Sequence, residues 1–302
     1  MTINKKFLQF LGAILIIVFH LCIKLSNNLL ESFFVGIAYI GVDIFFLVSV
    51  CSLANKTIDY KSFIVNRFKT IYLKFVVFVL IMALFTQRFN TIFNRLLFIE
   101  LFTKGGGAFL WFIPAILIFY LVFPFFIKWK NKYKSLIVLL GYLVLASICT
   151  LTKQNQLMIV LNRIPLILLT YELCTRNLTN QKLIGFICLI MGFILLYFFG
   201  YSPKLNKPFY NFFYIFASLA VIGIAMLIPK FKSPKIIDLI ASSSLEIYAF
   251  QMIFGFKLAV IVYQFLNNAL LANIITISIV IIISIAFNYL WKYLAKKSQF
   301  NL

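Results

Sequence analysis

Ten stretches of about 18–25 mostly apolar residues, joined by short basic connections, leave this chain one class of fold. They lie at roughly 7–25, 33–54, 70–87, 109–127, 135–152, 156–174, 182–200, 209–228, 239–263 and 270–292. A helix of about 20 residues crosses the ~30 Å hydrocarbon core of a bilayer. Hydrophobic residues make up 64% of the chain and charged residues 12%, and no soluble domain of this size has an interior that hides so much apolar surface. Long apolar runs, in place of short alternating strands, exclude an outer-membrane barrel. The expected fold is therefore an all-α, polytopic integral membrane bundle of about ten transmembrane helices. It forms a single transmembrane domain over 1–302, with no internal repeat and no soluble domain. The sixth span is the least regular, because Arg163, Pro165 and Glu172 interrupt it. Lys5 and Lys6 precede the first apolar run, but no small-residue cleavage site follows it, so it reads as a span and not as a signal peptide.

The formal charge of +21 does not point to nucleic acid, because the cations sit in the connections. Lys5 and Lys6, then Lys56, Lys61, Arg67, Lys69 and Lys74, then Lys128, Lys130, Lys132 and Lys134 alternate with poorer loops. Arg176 and Lys182, then Lys230, Lys232 and Lys235, and last Lys292, Lys296 and Lys297 continue the pattern. Basic loops mark the cytoplasmic side and contact anionic headgroups. The expectation is a multi-pass protein of the plasma membrane with both termini cytoplasmic and with membrane lipids as neighbours. The loop 87–107 departs from it, with Arg88, Arg95 and Lys104 on the outer side. Cys22, Cys51, Cys149, Cys174 and Cys188 are scattered without metal-ligand spacing and read as small packing residues, so no metal is expected.

Charged and titratable side chains inside the spans carry the chemical signal. His20, the only histidine, lies in the first span. Asp43 lies in the second, Arg163 and Glu172 in the sixth, and Glu246 in the ninth. Each is expensive facing lipid, so together they predict a polar cavity within the bundle. An imidazole is the natural general base near neutral pH, and a carboxylate beside it orients the ring. Asp43 and Glu246 are the candidates for that role; a buried structural ion pair is the competing reading for each, and a packing histidine for His20. Arg163 and Glu172, nine apart, point to opposite faces of a helix and do not pair.

Helix geometry extends the site. Gln9 and His20, eleven apart, share a face, with Lys6 on the same side nearer the cytoplasm. Arg67 and Lys74, seven apart, share another, with Thr70 between them. A basic stripe of this kind at the cytoplasmic mouth suits the phosphates of a nucleotide-bearing donor; headgroup anchoring is the alternative.

These features in this order resemble the membrane-bound acyltransferase-3 family, integral-membrane enzymes that acetylate bacterial surface sugars. Phe10 to His20 is similar to its first span and Gly41 to Ser49 to its second-span motif. Phe63 to Tyr72 is similar to the basic segment that follows, and Trp111 to Pro124 to its Trp-Phe-rich span. Asn162 to Pro165 and Ser244 to Tyr248 look like its later landmarks. The resemblance implies transfer of an acyl group, usually acetyl from cytoplasmic acetyl-CoA, to a hydroxyl of a surface glycan or lipid-linked sugar. It implies that His20 activates that hydroxyl or relays the acyl group; Asp43 and Glu246, from the residue reading, join it as catalytic candidates. Lys6, Gln9, Arg67, Lys69 and Lys74 would face the donor, and Trp111, Arg163, Ser244, Tyr248 and Gln251 the acceptor. Four positions depart from the family pattern. Gln9 and Thr70 stand where it usually has arginine, Val50 where it has glycine, and Gln251 lies on the face where a histidine often follows the tyrosine. Two other classes fit the same polar residues: a transporter or flippase for a glycan or small solute, and a family member that has lost catalysis.

Overall fold

The computed structural model describes residues 1–21, 40–103, 110–176, 178–195 and 213–297. Every regular element among them is helical. Helices overlap each of the ten expected spans, and five are long and apolar enough to cross a membrane: Tyr60–Thr86, Lys134–Leu151, Leu157–Thr175, Ser244–Leu266 and Ala269–Lys297. Gly41–Leu53, Phe112–Lys128, Gln181–Leu195 and Phe216–Leu227 are apolar but shorter. Cys22 and Lys104 lie outside the described residues.

The chain divides into two compact units. The first comprises Met1–Asn4, Asp43–Arg67 and Leu97–Phe231; the second comprises Lys5–Val42, Phe68–Leu96 and Lys232–Leu302.

In the first unit, an aromatic ladder forms the core. Phe46 meets Phe112 and Phe119 edge-on at 5.8 Å between centroids, Phe119 stacks on Phe123 at 4.6 Å, and Phe126 meets Tyr171 at 5.0 Å. Gln181–Leu195 and Phe213–Leu227 approach one another through Gly185, Gly192 and Gly223. A Cβ on Gly192 would lie 2.5 Å from the Ala220 backbone nitrogen, and one on Gly223 would lie 2.6 Å from that of Leu189. In hydrocarbon, where helices gain little from burying apolar surface, such small-residue contact is what joins them. Thr2 and Gln181 exchange hydrogen bonds of 2.9 and 2.7 Å, which ties the N-terminal residues to this pair. Asp59 caps the helix from Tyr60 by accepting from the Ser62 N–H at 3.2 Å, and the Ser62 side chain and backbone hold its carboxyl below the usual carboxylate range.

In the second unit, Lys5–Leu21 packs against Lys235–Ser242, Ser244–Phe250 and the π-helical turn Gln251–Gly255. Gly41 admits the close approach of this first helix, since a Cβ there would meet the Gly12 carbonyl at 2.8 Å. Phe78, Phe250 and Phe287 cluster at 5.2–5.6 Å. Phe256–Leu266 and Ala269–Lys297 form a hairpin turned at Asn267, whose φ of 47° is left-handed, and Asn268 Oδ1 caps the second helix at the Leu271 N–H, 3.1 Å away.

The sixth span is interrupted where the sequence is least regular, and two further spans are interrupted where it gave no sign. The sixth span breaks at Asn162 and Arg163 and restarts with Pro165 in its first turn, where a missing N–H does no harm. The ninth breaks at Ser243. The third carries a π turn over Phe68–Tyr72. A wider turn holds one residue more than an α turn, so a seven-residue count that assumes a uniform α-helix does not carry across it.

Candidate active site

Each unit gathers its own polar cluster. In the first, Arg163 leaves the helix break at the end of Asn155–Leu161, and its Nε lies 2.7 Å from Asp43 Oδ1. Both side chains are almost wholly buried, at 1% and 2% exposure. The guanidinium also lies over the Trp111 ring, 5.5 Å from its centroid. Beside it, the Tyr142 hydroxyl donates to Asn162 Oδ1 at 3.1 Å. Arg67 lies over Phe63 and Tyr120, at 5.0 and 4.5 Å, and the Tyr120 hydroxyl is 2.9 Å from Ser49 Oγ. Glu172 pairs with Arg176 and accepts from Ser135, which agrees with its predicted separation from Arg163.

In the second unit, Lys74 donates to Glu246 Oε1, and Asn288 Oδ1 accepts from the same ammonium at 3.3 Å. The Asn288 amide then donates to the Ser242 carbonyl at 3.0 Å and to Ser243 Oγ at 3.1 Å, which satisfies the break in the ninth span. Lys74 is therefore engaged within the protein, and Glu246 is buried with it.

His20 stands in the last turn of Lys5–Leu21. Its Nδ1 is 3.0 Å from the Ile16 carbonyl oxygen, one turn back, and a carbonyl accepts only, so Nδ1 carries the hydrogen. The lone pair is then on Nε2. The Gln251 amide, on the π turn, comes within 3.5 Å of Nδ1, and its Oε1 is buried without a hydrogen-bond partner among the described residues. Turning that amide over brings Oε1 toward the Nδ1 hydrogen as a second acceptor, and the two orientations of a glutamine amide have the same shape. The Phe19 ring meets the imidazole edge-on at 4.8 Å.

The carboxylates proposed to orient the imidazole are each held by a cation of their own unit, Asp43 by Arg163 and Glu246 by Lys74. At Nδ1 of His20 stand the Ile16 carbonyl and the Gln251 amide. Of the other expected site residues, Lys6 is exposed, Gln9, Lys69, Trp111 and Ser244 are half-buried, and Tyr248 and Gln251 are buried. Tyr120 and Asn288 were not singled out from the sequence, and Asn162 only as part of a motif, although Asn288 is an amide in a long apolar helix. Cys51 and Cys174, read as isolated packing residues, bring their sulfurs within 3.0 Å. No cluster of three or more metal-ligating side chains occurs among the described residues.

Comparison with curated proteins found no match, and comparison with solved structures found none. A model described as an acyltransferase domain matches residues 6–290, nearly the whole chain and both units. An all-helical apolar bundle that carries this match from its first helix to its last belongs to the acyltransferase-3 family of membrane acyltransferases.

Proposed function

We propose that this protein is an O-acyltransferase that takes an acyl group, acetyl in the first instance, from acyl-CoA and places it on a hydroxyl of a cell-envelope glycan. The observation that carries the reading is the state of His20. With Nδ1 engaged by the Ile16 carbonyl, the imidazole presents Nε2 as a proton acceptor from within an acyltransferase-family helix. In the transfer, Nε2 takes the proton of the acceptor hydroxyl as its oxygen attacks the thioester carbonyl carbon. The C–O bond forms, the C–S bond breaks, and the proton passes to the departing thiolate.

Lys74 is committed to Glu246, and Arg67 to two aromatic faces, so the exposed Lys6 is a cation open to a phosphate. Arg67 keeps an unpartnered buried Nε among the described residues, which suits it to one further acceptor.

Mass spectrometry of envelope glycans from cells with the intact protein, with His20→Ala and with His20→Gln tests the reading. Both variants insert normally and remove the acyl group; glutamine keeps hydrogen bonding but accepts no proton. Acyl groups that persist in either variant overturn the role of His20. The helix breaks at Arg163 and Ser243 favour one other reading, since transporters place polar sites at interrupted helices. Solute movement that survives His20→Ala, with no acyl group on any glycan, would establish it.

A further inference from the structure

The first unit carries a cavity of about 510 Å³ that none of the proposed chemistry uses. It runs along Phe112–Lys128 from Ala115 to Trp129 and is walled on the other side by Val160, Ile164 and Leu168. Ala115 and Trp129 are fourteen residues apart, roughly 21 Å of helix, against about 15 Å for the hydrocarbon of one leaflet. Of the lining residues Arg163 alone is charged, and Asp43 neutralises it, so the groove offers hydrocarbon contact and nothing for a sugar or a nucleotide. Its side is open through Val122 and Phe125, 58% and 57% exposed.

What lies at the Trp129 end selects the occupant. The segment after the helix reads Lys128-Trp129-Lys130-Asn131-Lys132-Tyr133-Lys134. Lys134 is turned inward, donating to the Phe126 and Ile127 carbonyls and to the Tyr171 hydroxyl, and so closes the helix end. Lys130 and Lys132 stay exposed and make no hydrogen bond among the described residues. A long apolar trough, a tryptophan where aromatic belts form and two exposed ammonium groups just beyond it, Lys130 and Lys132 (the latter over the Tyr133 ring at 4.8 Å), make one shape. We infer that this groove is a binding site for one anionic phospholipid, with an acyl chain laid against Phe112–Lys128 and its phosphate beside Lys130 and Lys132.

Trp129 reports on its own site. The purified full-length protein is titrated with phosphatidylglycerol brominated along its chains and, separately, with the equally brominated phosphatidylcholine. The part of the fluorescence lost in Trp129→Phe isolates the signal. Quenching of Trp129 is saturable and favours the anionic lipid. Lys130→Ala with Lys132→Ala, both on an exposed loop, reduces that preference about ten- to thirtyfold. Val122→Phe, at the exposed mouth, blocks quenching by either lipid. Equal quenching by both lipids, unchanged by the lysine pair, shows ordinary bilayer contact and overturns the proposal. Displacement of the brominated lipid by a long-chain acyl-CoA, but not by unbrominated phosphatidylglycerol, assigns the groove to the donor instead and overturns it equally.

Discussion

Arg163 and Asp43 are withdrawn from solvent together, so removing either leaves the other charge buried without its partner. Arg163→Met or Asp43→Leu alone is expected to destabilise the protein by about 3–5 kcal/mol, whereas the double variant recovers most of the loss. Thermal unfolding in detergent measures this, and a single variant as stable as the parent would show that the pair contributes nothing. Gln251→Leu keeps the volume near the imidazole but removes the amide beside Nδ1. It should lower kcat roughly tenfold with little change in KM for the donor, because it loosens the ring without touching donor contacts. At this scale the sequence shows which polar side chains lie inside the spans and is silent about whom they meet. His20, Asp43, Arg163 and Glu246 are conspicuous because each interrupts an apolar run. Their partners are not, because Lys74 reaches Glu246 across 172 positions of chain.

Helices were legible from apolar length, but their phase was not. Counting seven residues from Arg67 to Lys74 assumes a uniform α-helix, and the π turn at Phe68–Tyr72 breaks that assumption without any proline or glycine to announce it. The break at Arg163 did announce itself, through Pro165; the break at Ser243 depends on Asn288, from another helix. The pairing of Gln181–Leu195 with Phe213–Leu227 rests on glycines whose missing side chains are the contact. Gly223→Val places carbon against the Leu189 backbone, 2.6 Å away, where nothing flexible can yield. The expected cost is at least about 1–3 kcal/mol, from overpacking alone, seen as a lower unfolding temperature and poorer yield. Unchanged stability would mean that the two helices separate without penalty.

For the molecule as a whole, the family match spans both compact units, so the acyltransferase assignment belongs to the chain and not to either unit alone. Its orientation rests on loop charge. Asn131 lies among lysines, whereas Asn267 and Asn268 turn a loop that carries none. Asn131→Cys is expected to react with a membrane-impermeant thiol reagent only after cells are opened, and Asn267→Cys in intact cells. Both positions are exposed, so labelling reports sidedness and not burial. The reverse pattern would invert the molecule and put the proposed donor side away from cytoplasmic acyl-CoA.

The π turn at Phe68–Tyr72 also bears on how the gene tolerates change in length. A turn that already holds a spare residue can lose one and close into an ordinary α turn, so that the helix on either side keeps its setting. Losing one codon between 68 and 72 should therefore leave Arg67 on Tyr120 and Lys74 on Glu246. The same deletion between 76 and 80 has no slack to absorb it and swings one flank of the helix through about 100°. Among all the spans, this is a place where a one-codon deletion should pass unnoticed.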